Sequence, residues 1–269
     1  MGIPTVKDRV VQTALCLMLM PIFEADFHPR SYGFRAKRRA QQAIEEIQKA
    51  VQPGYVEIID ADRSKYFDTI PHRGLMRAVA RRVSDGGVLR LIKSWLRAPI
   101  VEADKDGTRR VLPNRCGTPQ GGVISPLLAN LYLNPLDHGV NDTTAGQARM
   151  VRYADDFVIA CAPGRGGGLG ARLKRWLEAK GLTLNEVKTR TVNIRQTGIN
   201  FLGCNLTWRR SSRGRSYLHA QPSQKSRGNL REQLGEILNR WTRWRPIPEV
   251  VREVNQVELP TTAKWKAAR

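Results

Sequence analysis

The chain has 269 residues, and its 45 lysines and arginines outnumber its 24 aspartates and glutamates to give a formal net charge of +21. This excess predicts a polyanionic partner, with nucleic acid the first interpretation and an anionic membrane surface the second. The longest apolar run, residues 14–23, is too short to cross a bilayer. Widely spaced cysteines without a Cys-x-x-Cys pair argue against a zinc knuckle or a dense disulfide framework. We therefore expect a cytoplasmic protein without a membrane partner.

The first half of the chain is predicted to be mostly helical around one strand. Apolar periodicity predicts helices over residues 6–20, 36–51, 71–83 and 88–96. Pro21 is expected to end the first of them. Residues 55–62 alternate like a strand that carries Asp60 and Asp62 on one face, and residues 101–112 predict a hairpin.

The second half predicts another hairpin, followed by helices and short strands. Ser125 and Pro126 predict a helix start with the serine as N-cap, and the helix runs to Leu136. Apolar runs on both sides of residues 153–156 predict a β-hairpin. A glycine-rich connector over 163–168 is followed by a helix over 171–180, strands over 187–194, 199–207 and 216–219, and a basic helical region over 223–244. This order predicts an α+β palm with helical attachments rather than a doubly wound sheet.

The turn of that hairpin carries two adjacent acids, Asp155 and Asp156. Two carboxylates held about 4 Å apart repel by about 4 kcal/mol at an effective dielectric constant near 20, so a cation is expected beside them. Mg²⁺ prefers such oxygen ligands, and a pair of metal ions can stabilise both the attacking and the leaving oxygen of a phosphoryl transfer. A strand that ends in an acid, Asp60 or Asp62, could add a third carboxylate, although a solvated strand end is an alternative there. The alternative is a solvated Asp-Asp turn without a ligand.

Two further segments suit nucleotides or nucleic acid. Residues 117–126 are rich in glycine and proline and precede a helix, so backbone and helix N-terminus could approach a phosphate, although an ordinary loop is the default for such a segment. Residues 29–39 interleave aromatic rings with cations, a pattern typical of single-strand binding but also of a solvated charged helix. Residues 241–245 repeat that pattern, where the tryptophans could equally be packing residues.

Together these residues resemble the reverse transcriptases of bacterial group II introns, the intron-encoded maturases. The resemblance covers about residues 2–206, and its blocks occur in the family's order: 2–12, 31–35, 62–68, 117–130, 153–156, Lys188-Thr189 and Phe201-Leu202-Gly203. It implies an α+β right-hand polymerase, with fingers and palm over residues 1–220 and a partial α-helical thumb, the start of the maturase region, over 221–269.

The resemblance also implies roles for individual residues in RNA-directed DNA synthesis. Asp62, Asp155 and Asp156 would hold two Mg²⁺ ions, with Mn²⁺ as an alternative. Phe67 would exclude a ribose 2′-hydroxyl by its bulk, Arg9 would meet the incoming phosphates, Gln120 would line the nucleotide pocket and Lys188 would act near the leaving group. Nucleic-acid contacts would come from Arg30, Tyr32, Arg35 and the primer grip, Phe201, Leu202 and Gly203. The implied partners are intron RNA, an RNA template, a DNA primer and deoxynucleoside triphosphates.

Other interpretations stay open at this point. The chain could be a catalytically impaired fragment that acts only as an intron RNA-binding maturase, since net charge supports RNA binding in either case. A retron or diversity-generating reverse transcriptase is a second alternative, although residues 196–198 lack the retron Val-Thr-Gly and Pro119-Gln120 is intact. Phe67 argues against an RNA-templated RNA polymerase. Because the resemblance begins inside the first block and departs after residues 254–256, we expect a truncated reading frame.

Overall fold

The computed structural model describes residues 4–51, 54–61, 66–103, 109–119, 121–143, 146–185 and 189–266. Over these ranges the fold is α+β with antiparallel sheets, as predicted. Its helices are α1 (Val6–Glu24), α2 (Ala40–Val51), α3 (Tyr66–Thr69), α4 (His72–Val79), α5 (Gly86–Arg97), α6 (Ser125–Asn141), α7 (Gly166–Ala179), α8 (Gln224–Ile237) and α9 (Ile247–Lys266). Its strands are β1 (Glu57–Ala61), β2 (Ile100–Ala103), β3 (Arg109–Leu112), β4 (Ala148–Tyr153), β5 (Asp156–Cys161), β6 (Arg190–Asn193), β7 (Ile199–Phe201), β8 (Cys204–Arg210) and β9 (Ser216–Pro222).

A four-stranded antiparallel sheet in the order β4-β5-β1-β6 forms the centre of the molecule. Successive side chains of a strand point to opposite faces, and both faces of this sheet are covered. Ile59 and Phe157 belong to the core shared with α1 and α4–α7, whereas Ile58 and Val158 belong to the core shared with α2 and the β7-β8-β9 sheet. Burial on both faces explains why β5, which lies between β4 and β1, is apolar at every residue after Asp156.

Helix α6 is the main support of the sheet on its helical side. Most of its residues are buried, among them Leu128 and Leu133, and it packs against β4, α4 and α1. A helix that is buried on most of its surface is one that neighbouring elements enclose. Tyr66 of α3 donates a hydrogen bond to the carbonyl of Ala129 at 2.7 Å, which fixes α3 against α6.

Two helices run past the ends expected from the sequence, Pro21 for α1 and Leu136 for α6, and each contains a proline. Helix α1 continues through Pro21 to Glu24, and its buried stripe Leu15, Leu19 and Phe23 extends past the proline into the core. Helix α6 likewise continues through Pro135 to Asn141. One lost backbone hydrogen bond is tolerated where a buried face continues.

Three local predictions about helix starts were wrong. Ser125 is the first residue of α6 rather than its N-cap, because its hydroxyl donates to the carbonyl of Pro119 at 2.8 Å. Helix α7 begins at Gly166, inside the predicted connector, where the carboxylate of Glu57 accepts hydrogen bonds from the backbone of Gly164 and Gly166, each at 2.8 Å. Residues 36–39 are not helical, and α2 begins at Ala40.

The remaining predictions about elements hold with shifted boundaries. The hairpin over 101–112 is confirmed as β2 and β3, with its turn outside the described residues. The strand over 199–207 is divided by a turn at Leu202-Gly203 into β7 and β8. The four cysteines are unpaired, and burial raises the pKa of Cys161 to about 11. In the described part of the chain, no helix combines the length and the apolar character needed to cross a membrane.

Candidate active site

The β4-β5 hairpin ends in a two-residue turn made by Ala154 and Asp155. Tyr153 pairs with Asp156 as the last pair of the ladder, and Ala154 has a positive φ of 59°. Ala154 is buried, Asp155 is partly exposed and Asp156 is exposed. The hairpin therefore presents two carboxylates at the surface on a turn whose backbone is tightly constrained.

A buried ion pair lies directly behind that turn. Arg152 is 0% exposed and Asp137 of α6 is 1% exposed. The guanidinium donates to Asp137 at 2.6 Å and 2.8 Å through Nη2 and Nε, and its Nη1 donates to the carbonyl of Ala154 at 2.8 Å. Nη1 also donates to the side-chain oxygen of Asn130 at 2.7 Å, so one side chain connects α6 to the turn.

The electrostatics of Arg152 depend on Asp137. Burial alone would lower the pKa of the guanidinium, but the Asp137 carboxylate outweighs it, so the pKa of Arg152 is raised above its ordinary value. Asp155 also contributes to this rise, which places the Asp155 carboxylate within the field of the buried cation. Removing either member of such a pair leaves an uncompensated buried charge.

The segment around Gly33 packs against the same turn. A side chain on Gly33 would overlap the backbone nitrogen of Ala154, so only glycine allows this approach. The carbonyl of Gly33 accepts a hydrogen bond from Asn130 at 2.7 Å. Phe34, with a positive φ of 57° and 53% exposure, meets the ring of Phe67 edge-to-face at 6.3 Å between centroids.

Phe67 and the glycine-rich loop meet at α3. The backbone of Thr118 donates to the carbonyl of Phe67 at 2.7 Å, and Gly117 donates to Ile70 at 2.8 Å. Gly117 has a positive φ of 84° and lies where a Cβ would contact the backbone of residues 67 and 68. The structure thus brings Phe67, the 117–119 loop, the Gly33 segment and the carboxylate turn into one neighbourhood.

Arg9 is exposed near the start of α1, three residues before the buried Gln12. Residues three apart share a helix face. The side-chain oxygen of Gln12 accepts a hydrogen bond from the backbone of Ile124 at 3.4 Å, so this face of α1 contacts the loop that follows residue 120.

Three predicted site residues, Asp62, Gln120 and Lys188, lie outside the described residues. The described strand β1 ends at Ala61, which pairs with Phe157, the residue after Asp156. Asp60 pairs with Arg190 of β6 at 3.4 Å.

The predicted nucleic-acid residues Arg30, Tyr32 and Arg35 make contacts within the protein. Arg35 is 8% exposed and binds the carboxylate of Glu24 at 2.6 Å and two backbone carbonyls at 2.7 Å. Arg30 pairs with Glu46 at 2.8 Å, and Tyr32 is buried beside β4. These contacts anchor the segment that carries Gly33, and a direct role in nucleic-acid binding stays a prediction.

The predicted primer grip forms the turn between β7 and β8. Phe201 is buried, and Leu202 and Gly203 have positive φ values of 50° and 75°. The carbonyl of Gly203 accepts hydrogen bonds from the backbone of Ser223 at 3.0 Å and the hydroxyl of Ser226 at 2.9 Å. This turn is therefore tied to the start of α8.

The donor set at the hairpin suits a hard cation. Among the described residues, no group of three or more His, Cys, Asp or Glu side chains has the arrangement of a complete metal site. Asp155 and Asp156 supply two carboxylates at an accessible turn, and carboxylate oxygens are the ligands that Mg²⁺ prefers.

Comparison with known proteins decides the family. The model of the family described as reverse transcriptase (RNA-dependent DNA polymerase) matches residues 1–206. The chain belongs to this reverse transcriptase family. The resemblance to group II intron enzymes is confirmed by its relatives, which include the group II intron-encoded protein LtrA of Lactococcus lactis subsp. cremoris, 34% identical over 51% of this chain and 22% of the relative.

Two further relatives and one solved structure are also similar to this chain. Protein YkfC of Escherichia coli (strain K12) is 40% identical over 57% of this chain, and this chain spans 40% of that relative's length. A putative COX1/OXI3 intron 1 protein of Saccharomyces cerevisiae (strain ATCC 204508 / S288c) is 27% identical over 75% of this chain, which spans 30% of that relative's length. The structure of telomerase from Candida tropicalis in complex with a fragment of telomeric RNA matches 96% of this chain and 45% of its own, with a TM-score of 0.59 at 13% identity. This structural likeness supports the right-hand polymerase fold.

Sequence reasoning missed the residues that hold the site together. Asp137, Asn130 and Arg152 are not among the predicted site residues, although an arginine inside an apolar strand, as Arg152 is, signals a buried partner. Gly33 carried no sequence signal for its contact with Ala154, since that contact joins segments far apart in the chain.

Replacing Arg152 by methionine is expected to destabilise the protein by about 3–5 kcal/mol, because it leaves Asp137 buried without a partner. The double variant Arg152→Met/Asp137→Leu removes both charges and should recover a large part of that loss. Urea unfolding followed by circular dichroism measures both free energies. A double variant less stable than the single one would contradict the assigned pairing.

Gly33→Ala is expected to displace the Ala154 turn, since its methyl group would overlap backbone atoms that cannot rotate away. The matched control is Gly139→Ala in α6, where nothing lies within 4 Å of an added Cβ and helix propensity favours alanine by about 1 kcal/mol. Thermal unfolding should show a lower midpoint for the first variant and an equal or higher one for the second. Equal midpoints would refute the close approach at Gly33.

Proposed function

We propose that this chain is the reverse transcriptase part of a group II intron-encoded protein and adds deoxynucleotides to a DNA primer on an RNA template. The observation that carries this proposal is the accessible pair of Asp155 and Asp156, whose turn is held from behind by the buried Arg152–Asp137 pair. A rigid carboxylate pair beside the end of β1 is what a metal-assisted nucleotidyl transfer requires.

Asp62 is proposed as the third carboxylate. It is the next residue in the chain after Ala61, which pairs with Phe157 at the end of β1. Two Mg²⁺ ions, when bound, would polarise the primer 3′-hydroxyl and stabilise the leaving pyrophosphate. The chain's own contribution is to hold Asp155 and Asp156 in place through the bond from Arg152 to the Ala154 carbonyl.

The incoming nucleotide is proposed to lie between the turn and the 117–119 loop. The ring of Phe67, which packs edge-to-face against the ring of Phe34, would contact the sugar. Arg9 would contact the phosphates from the face of α1 that meets the loop after residue 120. Gln120 is proposed to line the nucleotide pocket, Lys188 to act on the leaving group, and residues 201–203 to support the primer.

RNA binding is proposed to accompany polymerisation, in intron splicing and mobility. The net charge of +21 supports it, as does the family's use of RNA templates. A chain that bound RNA without extending a primer would instead be a maturase without polymerase activity, and the next experiment separates these two functions.

Asp155→Asn is expected to abolish extension of a DNA primer on an RNA template, while the affinity for the template stays equal or rises because a negative charge is lost. Incorporation of labelled deoxynucleotides in the presence of Mg²⁺ measures primer extension, and fluorescence anisotropy of a labelled template measures the affinity. Asp60→Asn, which removes a neighbouring carboxylate paired with Arg190, is the control and should remain active. Substantial synthesis by Asp155→Asn would refute the proposal.

Phe67→Val is expected to admit ribonucleotides, because a smaller side chain leaves room for the 2′-hydroxyl. The ratio of incorporation of a deoxynucleotide to the matching ribonucleotide should fall by at least about tenfold, which corresponds to about 1.4 kcal/mol of lost discrimination. Phe34→Val changes the neighbouring ring and serves as the comparison. Unchanged discrimination in Phe67→Val would show that another residue excludes the ribose.

A further inference from the structure

Two stripes of cations face one groove between α4 and α5. Arg73 and Arg77 lie four residues apart on α4, and Arg90, Lys93 and Arg97 follow a spacing of three and four on α5. All five are exposed and line a cavity of about 580 Å³. Apolar side chains, Met76, Leu89 and Leu96 among them, form the rest of the lining.

These cations have no acidic partners among the described residues. None of the five makes an ion pair or a side-chain hydrogen bond there, and neither α4 nor α5 contains an aspartate or glutamate. Three arginines elsewhere in the described chain show the contrast. Arg30, Arg35 and Arg82 are each paired with a carboxylate.

The arrangement costs stability in the absence of a ligand. Like charges four residues apart on a helix repel each other, and two such stripes facing across a groove add to the repulsion. Folding alone gives no reason to place five cations here without a single counter-charge. Local sequence choices that oppose stability are expected where a function compensates for them.

The same charge continues beyond the first groove. Arg73 and Arg77 also line a second cavity of about 420 Å³, together with Arg81 and Lys180 at the end of α7. No residue of either cavity belongs to the predicted active site, although His72 at one end of the first groove contacts the carbonyl of Gly117 at 2.8 Å. The basic surface formed by the two cavities therefore has one end beside the 117–119 loop, from which it extends along α4 and α5.

We propose that the groove between α4 and α5, here called the α4–α5 groove, binds the phosphate backbone of RNA at a site separate from the active site. From Arg90 to Arg97 the helix rises by about 10 Å, which exceeds the reach of one phosphate and suits a chain of them. Arginine, four of the five cations, favours bidentate contacts with phosphate. The choice of RNA over DNA rests on the proposed function, whereas the affinity for a phosphate chain does not.

A flat membrane surface fits the groove less well. Helices that bind bilayers present protruding apolar side chains to the lipid, whereas the apolar atoms here form part of a concave lining between the cations. An acidic protein is the other class of partner, and the experiment below includes it as an outcome.

The test compares two triple variants of the full chain that remove the same charge. Arg90→Ala/Lys93→Ala/Arg97→Ala removes the three cations of α5 from the lining of the α4–α5 groove. Arg165→Ala/Arg172→Ala/Arg175→Ala, all exposed and on or beside α7, is the matched control. Anisotropy of a labelled RNA stem-loop, titrated at several salt concentrations, gives the dissociation constant and its salt dependence.

The groove variant should bind the stem-loop at least about tenfold more weakly, and the slope of log affinity against log salt should become shallower by about 2, since each lost phosphate contact contributes about 0.7–0.9. The control should change affinity by less than about threefold. Because like-charge repulsion is removed, the groove variant should melt at the same or a higher temperature than the parent.

Extension of a saturating primer–template should be unchanged in the groove variant, whereas Asp155→Asn should lose extension and keep its affinity for the stem-loop. A failure of the groove proposal is thus distinguishable from a failure of the proposed function. Equal losses in the two triple variants, or an unchanged salt slope, would overturn the proposal. So would an intact RNA affinity combined with lost binding of polyglutamate or of anionic phosphatidylserine vesicles.

Discussion

The buried pair of Arg152 and Asp137 is the interaction on which the site depends. It joins the central helix α6 to the β4-β5 hairpin, and the same guanidinium holds the backbone of the turn that carries the two acids. A buried charge pair adds little stability compared with apolar packing of the same volume, but it fixes geometry, because the partners accept few other arrangements. The hairpin could fold without it, whereas the orientation of Asp155 could not be specified in the same way.

Around this pair the fold arranges segments that are distant in the chain. Asn130 binds both Arg152 and the carbonyl of Gly33, so the loop before α2, the hairpin and α6 share one polar network inside an otherwise apolar core. A buried polar group without a hydrogen-bond partner costs stability, so such a network favours the one arrangement in which all its members are paired. It therefore makes this part of the fold rigid. Phe34 and Phe67 then extend the ordered region from the turn towards the 117–119 loop.

Much of this could be predicted from the sequence, and the reasons for the failures are physical. The hairpin at Asp155 and strand β1 followed from local alternation of apolar residues, and the family followed from the order of short blocks. Helix α1 passes Pro21 because Phe23 is needed in the core, and α7 starts early because Glu57 from β1 caps it. Both depend on tertiary contacts that no local pattern contains. The same holds for the α4–α5 groove, since charge counts give no position in space.

The turn at Leu202-Gly203 has a mechanical consequence. The carbonyl of Gly203 accepts hydrogen bonds from the backbone of Ser223, the N-cap of α8, and from the hydroxyl of Ser226 in its first turn. The hydroxyl of Ser223 in turn accepts a hydrogen bond from the backbone of Ser226. The two hydrogen bonds to Gly203 hold the start of α8 close to this turn. A change in the tilt of α8 is therefore expected to move the turn between β7 and β8, because the start of the helix is bonded to the carbonyl of Gly203.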